Sequence, residues 1–460
     1  MFMAQDILQS VHKVHFTGIG GSGMCPLAEM LYALGYEVTG SDDYASDNLK
    51  RIQSLGIPVT LPLAAGNADH AELVVYTAAI RTDHPELKSA AEHGIPLVER
   101  AKLLGMITRH YARTVSVAGT HGKTTTTSML SQILLQADLD PSIFIGGRLP
   151  LINANGHAGH SGLMVSEACE FLDHYLEMKT SIAVILNVDA DHLDYFGDLD
   201  GVVASFKKFA AGASECVIVN ADDAPAMRAV ADVPADRLIT YGRGGDFNWS
   251  ARNIGTHEGA YGDYDLYHDG VFFAHITLGV PGAHNVQNSM AAAAAAYLCG
   301  ADAEQIAHGL REYHGAGRRF EFLGTVDGVT VADDYAHHPT EITATLTAAK
   351  ELPYRRVWAV FQPFTYSRTK RLLGDFAKAL SIADEAIVCD ILGSREQNTY
   401  GVSSDQIVAL MNNGRYIPTF EEVVAYLLQN VQKGDLVLTM GGGNVYKCAQ
   451  LLVSELKKRG

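Results

Sequence analysis

The chain has 460 residues, of which 47% are hydrophobic and 19% are charged, so it is long enough for two or three domains with separate cores. Its net charge of −17 argues against a nucleic-acid or membrane partner, because phosphate backbones are bound through a surplus of Lys and Arg. The most apolar stretch, 290–299, is too short to span a bilayer, and residues 1–13 lack a signal-peptide pattern. We therefore expect a cytoplasmic protein. We also expect a monomer or a weak homodimer, although none of these features bears on the oligomeric state.

The first block alternates strands and helices. We predict a strand over 14–18, a helix over 24–34, and further strands over 37–40 and 73–77, which together imply a parallel sheet with helices on both faces. The turn after the first strand, residues 18–23, fits the G-x-G-x-x-G pattern. Such glycines let the backbone approach a diphosphate, in NAD or in a UDP-sugar, although a purely structural tight turn is an alternative.

The second block begins near 113 with a β-branched strand that runs into Gly119-Thr120-His121-Gly122-Lys123-Thr124. A strand that passes into a helix through such a turn presents backbone N–H groups and the positive end of the helix to phosphate. Lys123 adds a cation, and the Thr124 hydroxyl is suited to a magnesium ion. We therefore predict a site for ATP or another nucleoside triphosphate.

Two further strands of this block, 163–166 and 183–188, end in polar residues. Glu167 follows the first strand, and Asp189, Asp191, His192 and Asp194 follow the second. Because ligands gather at the carboxyl ends of parallel strands, we predict a metal site formed by Thr124, Glu167 and His192. The alternative is that Asp191, His192 and Asp194 only cap backbone N–H groups at the start of a helix. A fourth strand is predicted at 216–220, an antiparallel meander over 238–280, and a helix from about 285.

The third block starts near 318. Its predicted strands are 329–332, 356–361, 385–390 and 435–440, and Pro339 opens a helix. Titratable residues crowd the segment 333–341, and Arg368 follows the second strand, where its guanidinium suits a carboxylate or a phosphate. We interpret the glycines 441–443 as a structural turn between a strand and a helix.

Eight motifs occur in the order typical of the Mur ligases: GIGGSGM, AGTHGKTTT, SEACE, NVDADHLDYF, GAHNVQNSMAA, GRRFE, DDYAHHPTEI and FQPFTYSRT. The chain therefore resembles this family over essentially its whole length. The resemblance implies an α/β chain of three domains: an N-terminal Rossmann-like domain for a UDP-sugar (1–112), a central P-loop ATPase-like α/β domain with a small antiparallel portion (113–317), and a C-terminal Rossmann-like domain that admits an amino acid (318–460).

Within the family, the chain is most similar to members that join L-alanine to UDP-N-acetylmuramate with ATP and Mg²⁺. The resemblance implies that ATP phosphorylates the lactyl carboxylate of the sugar and that the amine of L-alanine then attacks the acyl phosphate. It also implies roles for residues at the matching positions. The expected nucleotide contacts are Gly119, Thr120, Gly122, Lys123, Thr124, Thr125, His284, Asn285, Asn288 and Asp334. The expected catalytic residues are His121, Lys123, Glu167, His192, Arg319, His337 and Arg368. The expected UDP-sugar contacts are Gly20, Gly21, Ser22, Gly23, Met24, Ser41, Asp42 and Ala78.

The chain departs from the family pattern at 167–172, which read EACEFL where many members read EADESD, so that two acidic positions are lost. Several Mur ligases also carry a carbamylated lysine near a metal; Lys207 and Lys208 lie downstream of His192, and we assign this role to neither. Other functions remain open at this point. The nearest is a murein tripeptide ligase, which has the same chemistry. The motif of the first block disfavours a folate-polyglutamate ligase, and a second full nucleotide domain argues against an NAD-dependent dehydrogenase. A non-catalytic nucleotide-binding regulator is disfavoured by the intact set Lys123, Thr124, Glu167 and His192.

Overall fold

A computed structural model describes residues 7–77, 79–394 and 396–459, without the side chain of Asp194. The described chain forms two compact units. The first comprises residues up to 252 together with 266–274 and 287–310, and the second comprises 253–265, 275–286 and 311 onward. None of the helices in these ranges is long and apolar enough to cross a bilayer.

The first sheet has five parallel strands in the order β3-β2-β1-β4-β5. These strands are β1 (Lys13–Thr17), β2 (Glu37–Ser41), β3 (Val59–Thr60), β4 (Leu73–Tyr76) and β5 (Leu97–Glu99). The direction of strand progression reverses between β1 and β4. Open α/β sheets bind their ligands outside the carboxyl ends of the strands at such a point, and the first glycine motif follows β1 there.

The second sheet has ten strands in the order β15-β14-β13-β12-β11-β10-β6-β9-β7-β8. Its strands are β6 (Arg113–Ala118), β7 (Ser142–Leu149), β8 (Ala154–His157), β9 (Leu163–Glu167), β10 (Ile182–Ile185), β11 (Cys216–Asn220), β12 (Leu238–Arg243), β13 (Trp249–His257), β14 (Tyr261–His268) and β15 (Val271–Pro281). The phosphate-loop strand β6 pairs in parallel with β9 on one side and with β10 on the other. Glu167 and the segment after β10 therefore flank the loop that follows β6.

The third sheet has six strands in the order β16-β17-β21-β18-β19-β20. They are β16 (Glu321–Val326), β17 (Val329–Asp334), β18 (Val357–Phe361), β19 (Glu385–Val388), β20 (Gly414–Tyr416) and β21 (Leu436–Met440). Only the β16–β17 pairing is antiparallel. Separate clusters of buried side chains, one around Phe361 and Phe376 and the other around Trp358 and Leu452, contain alternate residues of the same strands and therefore cover the two faces of the sheet.

The described helices, in chain order, are α1 (Ile7–Ser10), α2 (Cys25–Ala33), α3 (Asp47–Ser54), α4 (Pro85–Glu92), α5 (Arg100–Thr108), α6 (Lys123–Gln136), α7 (Leu193–Phe196), α8 (Leu199–Gly212), α9 (Ala224–Ala229), α10 (His284–Leu298), α11 (Ala303–Arg311), α12 (Pro339–Glu351), α13 (Tyr366–Arg371), α14 (Leu373–Leu380), α15 (Ser404–Val408), α16 (Phe420–Asn430) and α17 (Tyr446–Arg459). Short 3₁₀ segments lie at Phe171–Glu177 and Ala235–Arg237. Pro339 is the first residue of α12, as predicted.

The prediction of an antiparallel meander over 238–280 is wrong for its first strand, because β12 pairs in parallel with both β11 and β13. A parallel neighbour usually needs a long crossover. Here β12 and β13 pair over only three residues each, 241–243 with 249–251. The chain therefore has to run back by only the length of three residues before β13 begins, and the five-residue segment 244–248 is long enough for this. The consecutive neighbours β13, β14 and β15 are joined by turns of three and two residues, which only antiparallel strands allow.

The sequence analysis did not predict β3, β5, β7, β8, β16 or β20. Five of these strands lie at a sheet edge and β7 lies next to one, and several are very short. Glycines in β7 and β8 interrupt the apolar pattern by which strands are recognised. The boundaries at 112 and 317 stay predictions.

Candidate active site

The phosphate loop is held in place by contacts that surround Gly122. This residue has φ +84° and directly precedes α6, and a Cβ there would lie 2.6 Å from Asn288 Oδ1. Both the left-handed backbone and the close approach require glycine. Asn187 fixes the preceding residue, because the His121 N–H donates to Asn187 Oδ1 at 2.8 Å and Asn187 Nδ2 donates to the His121 carbonyl at 3.0 Å. Among the described residues, no side chain caps the start of α6, so its positive end faces the loop.

Lys123 folds back onto this loop. Its Nζ donates to the carbonyls of Gly119 at 2.5 Å and Thr120 at 3.1 Å, and it lies 2.9 and 3.1 Å from the two carboxylate oxygens of Glu170. Burial lowers the pKa of Lys123, but the attraction of Glu170 and other nearby groups outweighs this effect, so the net pKa is raised. The ammonium therefore keeps its positive charge in the neutral pH range.

Thr124 and Glu167 form a pair of oxygen donors beside the loop. Thr124 Oγ1 donates to Glu167 Oε2 at 2.9 Å, and the Gly146 N–H donates to the same oxygen at 2.8 Å. A hydroxyl and a carboxylate next to a phosphate loop are the hard oxygen ligands that Mg²⁺ prefers. The residues present therefore fit the predicted cation.

Gly146→Ala is expected to displace this pair. A Cβ at residue 146 would lie 2.7 Å from Glu167 Oε2 and 3.1 Å from Thr124 Oγ1, closer than side chains tolerate. We expect the variant to fold and to lose about tenfold to 100-fold in kcat/KM for ATP, since the second shell of a metal site carries effects of this size. Steady-state kinetics at several Mg²⁺ concentrations would measure the loss. Gly212→Ala is the control, because its added methyl group meets open space; equal kinetics for the two variants would contradict the prediction.

His192 directly precedes α7 in a left-handed conformation (φ +52°), and its ring centroid lies 4.9 Å from that of Phe171, four residues beyond Glu167. Its side chain does not cap α7. By contrast, the Asp191 carboxylate accepts a hydrogen bond from the His192 N–H, so the capping alternative is partly right for Asp191. The Asp189 carboxylate accepts in the same way from the Ala190 N–H. His121 Nε2 lies 3.2 Å from Asp189 Oδ2. Lys207, which we left unassigned, pairs with Asp232 on the surface.

The first glycine loop is tied to the end of β2. Gly18 and Ile19 donate to the Ser41 carbonyl at 2.8 and 3.0 Å, and the Gly20 N–H donates to Asp42 Oδ2 at 2.8 Å. Gly21 and Ser22 are exposed, whereas Met24 is buried. A Cβ on Gly23 would lie 3.1 Å from Arg100 Nη1, which places a cation that we did not predict beside the loop. Ala78 lies outside the described residues.

Ser41, predicted to contact the UDP-sugar, instead directs its hydroxyl into a buried network around Glu86. One oxygen of Glu86 accepts from Thr17 Oγ1 at 2.7 Å and from Ser41 Oγ at 2.5 Å, and it lies 3.3 Å from His15 Nε2. The other accepts from the Ala64 N–H and Asn67 Nδ2, at 3.2 and 3.1 Å. Burial raises the pKa of Glu86, but these hydrogen bonds outweigh burial and lower it from 4.5 to about 2. The carboxylate thus joins the ends of β1 and β2 to the 62–67 segment.

We expect Glu86→Gln to be most destabilising near neutral pH. The pKa of Glu86 is lowered on folding, so the charge stabilises the fold above pH 4.5, by about 3 kcal/mol, and this contribution is lost as the pH falls towards 2. The thermal midpoint of the variant should therefore lie well below that of the parent at pH 7, and the difference should shrink at pH 4. Glu92→Gln on the exposed face of the same helix is the control. A difference that does not depend on pH would contradict the proposed role of the charge.

The second unit contains most of the remaining candidates. Asp334 accepts hydrogen bonds from the Phe320 and Ala336 N–H groups, both at 2.7 Å, and burial raises its pKa to about 6 against the opposing attraction of Arg319. The Arg319 guanidinium lies 5.2 Å from the centre of the Tyr335 ring. His337 Nδ1 lies 3.3 Å from Glu341 Oε2. This unit therefore groups Arg319, Asp334 and His337 around one strand end.

The other candidates lie on two helices. His284 is exposed. Asn285 Nδ2 donates to the Pro281 carbonyl at 2.8 Å, so the NH₂ group of this side chain stabilises the turn that leads into α10. Asn288, one turn further along, lies against Gly122. Arg368 is half-buried on α13. The glycines at 441 and 443 belong to the structural turn that was predicted, since their carbonyls accept from Arg318 at 2.8 and 2.9 Å.

Sequence reasoning assigned no role to Asn187, Glu170, Gly146 or Arg100. Asn187 and Glu170 belong to two of the recognised motifs, NVDADHLDYF and SEACE. Because both motifs follow strands of the second block, their position in the sequence could have indicated that these residues lie near the phosphate loop. A glycine inside a strand marks a close approach of another group, and this rule would have singled out Gly146. Arg100 carries no signal in its local sequence, because it meets Gly23 only through the packing of α5 near α2.

The fold and the site define the chain as an α/β nucleotide-binding protein with a phosphate loop and an adjacent pair of oxygen donors, Thr124 and Glu167. Three family models match it: "Mur ligase family, catalytic domain" over residues 13–112, "Mur ligase middle domain" over 117–296, and "Mur ligase, glutamate ligase domain" over 318–443. The chain belongs to the Mur ligase family.

Relatives span the whole chain. The UDP-N-acetylmuramate–L-alanine ligase of Caldanaerobacter subterraneus is 44% identical over 457 residues, which cover 98% of this chain and 99% of the relative. That of Acetivibrio thermocellus is 43% identical over 450 residues, or 96% of each chain. Among solved structures, the UDP-N-acetylmuramate–alanine ligase of Thermotoga maritima superposes with a TM-score of 0.82 at 27% identity, covering 97% of this chain and 100% of that one.

These matches confirm the predicted family and the predicted three-domain α/β class. Mur ligases are ATP-dependent enzymes that form amide bonds, so the chain is an ATP-dependent ligase of this type. A dehydrogenase and a non-catalytic regulator are thereby set aside.

Proposed function

We propose that this protein joins L-alanine to UDP-N-acetylmuramate, with conversion of ATP to ADP and phosphate, in the cytoplasmic synthesis of a peptidoglycan precursor. Full-length relatives with this activity at 43–44% identity support the choice of substrates. The single structural observation that carries the chemistry is the grouping of Lys123, Thr124 and Glu167 around the start of α6. We further propose a monomer or a weak homodimer without a nucleic-acid or membrane partner.

The reaction takes place in two steps. An oxygen of the lactyl carboxylate attacks the γ-phosphorus of ATP, the bond to the β-γ bridging oxygen breaks, and ADP leaves. The amine of L-alanine then attacks the carbonyl carbon of the acyl phosphate. The tetrahedral intermediate expels phosphate, and the amine nitrogen loses its extra proton, which leaves the amide.

The phosphate loop serves the first step by stabilising negative charge. Carboxylate and triphosphate repel each other, and the positive end of α6 together with Lys123 lowers the cost of bringing them together. Thr124, Glu167 and His192 would hold Mg²⁺. When bound, this ion would supply Lewis-acid stabilisation of the phosphate oxygens. His121, in the loop itself, is proposed to lie beside the lactyl carboxylate.

The other roles are also proposals. Gly119, Thr120, Gly122 and Thr125 would line the phosphates, His284, Asn285 and Asn288 would contact adenine, and Asp334 would contact ribose. Arg319, His337 and Arg368 would border the γ-phosphate and the amino acid. The first glycine loop, with Asp42 at the end of β2, would hold the uridine diphosphate.

The experiment that tests this function is phosphate release from ATP by the purified protein in the presence of UDP-N-acetylmuramate and one amine at a time. We expect turnover with L-alanine and the alanyl product by mass spectrometry. Turnover only with the preformed tripeptide would replace this proposal with that of a murein tripeptide ligase. Glycine and L-serine in the same assay would measure how strictly alanine is selected.

A further inference from the structure

Glu170 lies in the phosphate-loop region in a position that opposes nucleotide binding. Its carboxylate is 3% exposed and faces the Lys123 ammonium, which is 14% exposed, across 2.9 and 3.1 Å. An ammonium has three hydrogen-bond donors. In this structure they are directed to the Gly119 carbonyl, the Thr120 carbonyl and Glu170, so a phosphate oxygen must displace one of them.

The backbone around Glu170 is built to hold the carboxylate in this place. Leu172 and Asp173 both have left-handed backbone conformations, with φ of 55° and 58°. Residues other than glycine rarely adopt this conformation. Three further hydrogen bonds maintain the turn. The Asp173 N–H donates to the Glu170 carbonyl at 2.9 Å, and the Asp173 carboxylate accepts from Tyr195 Oη and from Ser205 Oγ. Backbone strain of this kind persists where the surrounding structure enforces it, often at functional sites.

Charge makes Glu170 the strongest of the three competitors. The two loop carbonyls are neutral, whereas the carboxylate both attracts the ammonium and repels an incoming phosphate. The pair is largely shielded from solvent, so dissolved salt screens it weakly. A phosphate oxygen that approaches Lys123 is therefore repelled by this carboxylate, whichever of the three partners it displaces.

We propose that Glu170 is a positioning residue that holds Lys123 inside the loop and competes with nucleotide for its ammonium. It lowers the affinity for ADP and thereby aids product release. This inference rests on the proposed nucleotide site, and it adds a residue that acts through Lys123 and does not itself bind the substrate.

The test is calorimetric titration of ADP and AMP, without Mg²⁺, into the parent protein and into Glu170→Gln. Glutamine keeps the shape of the side chain and removes its charge. Because the loop lysine reaches the β- and γ-phosphates, we expect ADP to bind about tenfold more tightly to the variant and AMP to change less than twofold. In turnover, KM for ATP should fall while kcat does not rise. A merely structural role would lower the thermal midpoint and weaken both nucleotides alike.

Glu215→Gln is the matched control, because it removes a carboxylate that pairs with Arg113 at 2.6 Å outside the loop. Unchanged or weaker ADP binding by Glu170→Gln would overturn the inference. If that variant does not fold, Glu170→Asp serves as the second test. Its side chain is shorter by one methylene group, which moves the carboxylate away from Lys123, so ADP should again bind more tightly than to the parent protein. Failure of the parent protein to bind ADP would instead overturn the proposed function itself.

Discussion

Lys123→Ala is expected to reduce ATP-dependent product formation by at least about 10³-fold. A positioned cation that stabilises the charge of a transferring phosphoryl group typically contributes an effect of this size. Lys123 lies at the first position of α6, inside the loop, and keeps its proton at neutral pH. The measurement is ADP release under saturating substrates, coupled to detection of the alanyl product.

This substitution also leaves Glu170 buried without its partner, and an uncompensated buried charge destabilises a protein by about 3–5 kcal/mol. The double variant Lys123→Ala/Glu170→Gln separates folding from catalysis. We expect it to recover most of the thermal midpoint and none of the activity. Lys207→Ala, which removes only an exposed ion pair, should retain full activity. Turnover by the double variant at more than a tenth of the parent rate would remove the loop lysine from the mechanism.

Glu167→Gln is expected to raise the Mg²⁺ concentration for half-maximal activity by about tenfold or more. The Glu167 carboxylate accepts hydrogen bonds from Thr124 Oγ1 and from the Gly146 N–H. These contacts hold its negative charge beside the phosphate loop. A neutral amide keeps these contacts but is a much weaker ligand for a hard divalent cation. Titration of Mg²⁺ at saturating ATP would show the shift.

A second readout does not depend on turnover. In the parent protein, Mg²⁺ should increase the affinity for ADP, and in Glu167→Gln this increase should largely disappear, whereas ADP binding without the metal should not weaken. Glu177→Gln, an exposed carboxylate in the following 3₁₀ segment, is the control. An unchanged Mg²⁺ titration would show that Glu167 only orients the loop.

The two variants and the Glu170 inference examine different properties of one small group of charges. Lys123 supplies the positive charge, Glu170 lies opposite it, and Glu167 with Thr124 would supply the oxygen ligands. Loss of the first should reduce the rate, loss of the second should tighten ADP binding, and loss of the third should change the metal requirement. If the variants instead shared a structural defect, the rate, the affinity for ADP and the Mg²⁺ requirement would all change in each of them.

Most strands of the three sheets and the loops that follow them were predictable from the sequence, because these features depend on neighbouring residues. An apolar run that ends in glycine, followed by Lys123 and Thr124, identifies a strand, a turn and a helix start without any knowledge of the rest of the fold. Glu167 was expected near the loop by the same reasoning, because parallel strands present their carboxyl ends at one edge of the sheet.

Only the tertiary structure decided which groups these side chains contact. The hydroxyl of Ser41 faces Glu86, 45 residues away in the chain, and not the open side of the glycine loop. Lys123 meets Glu170 because β6 and β9 are neighbours and because a strained turn directs the carboxylate towards the loop. Local sequence specifies backbone conformation and the chemistry available at each position. Pairing between distant charges depends on strand order and on burial, which arise only when the whole chain packs.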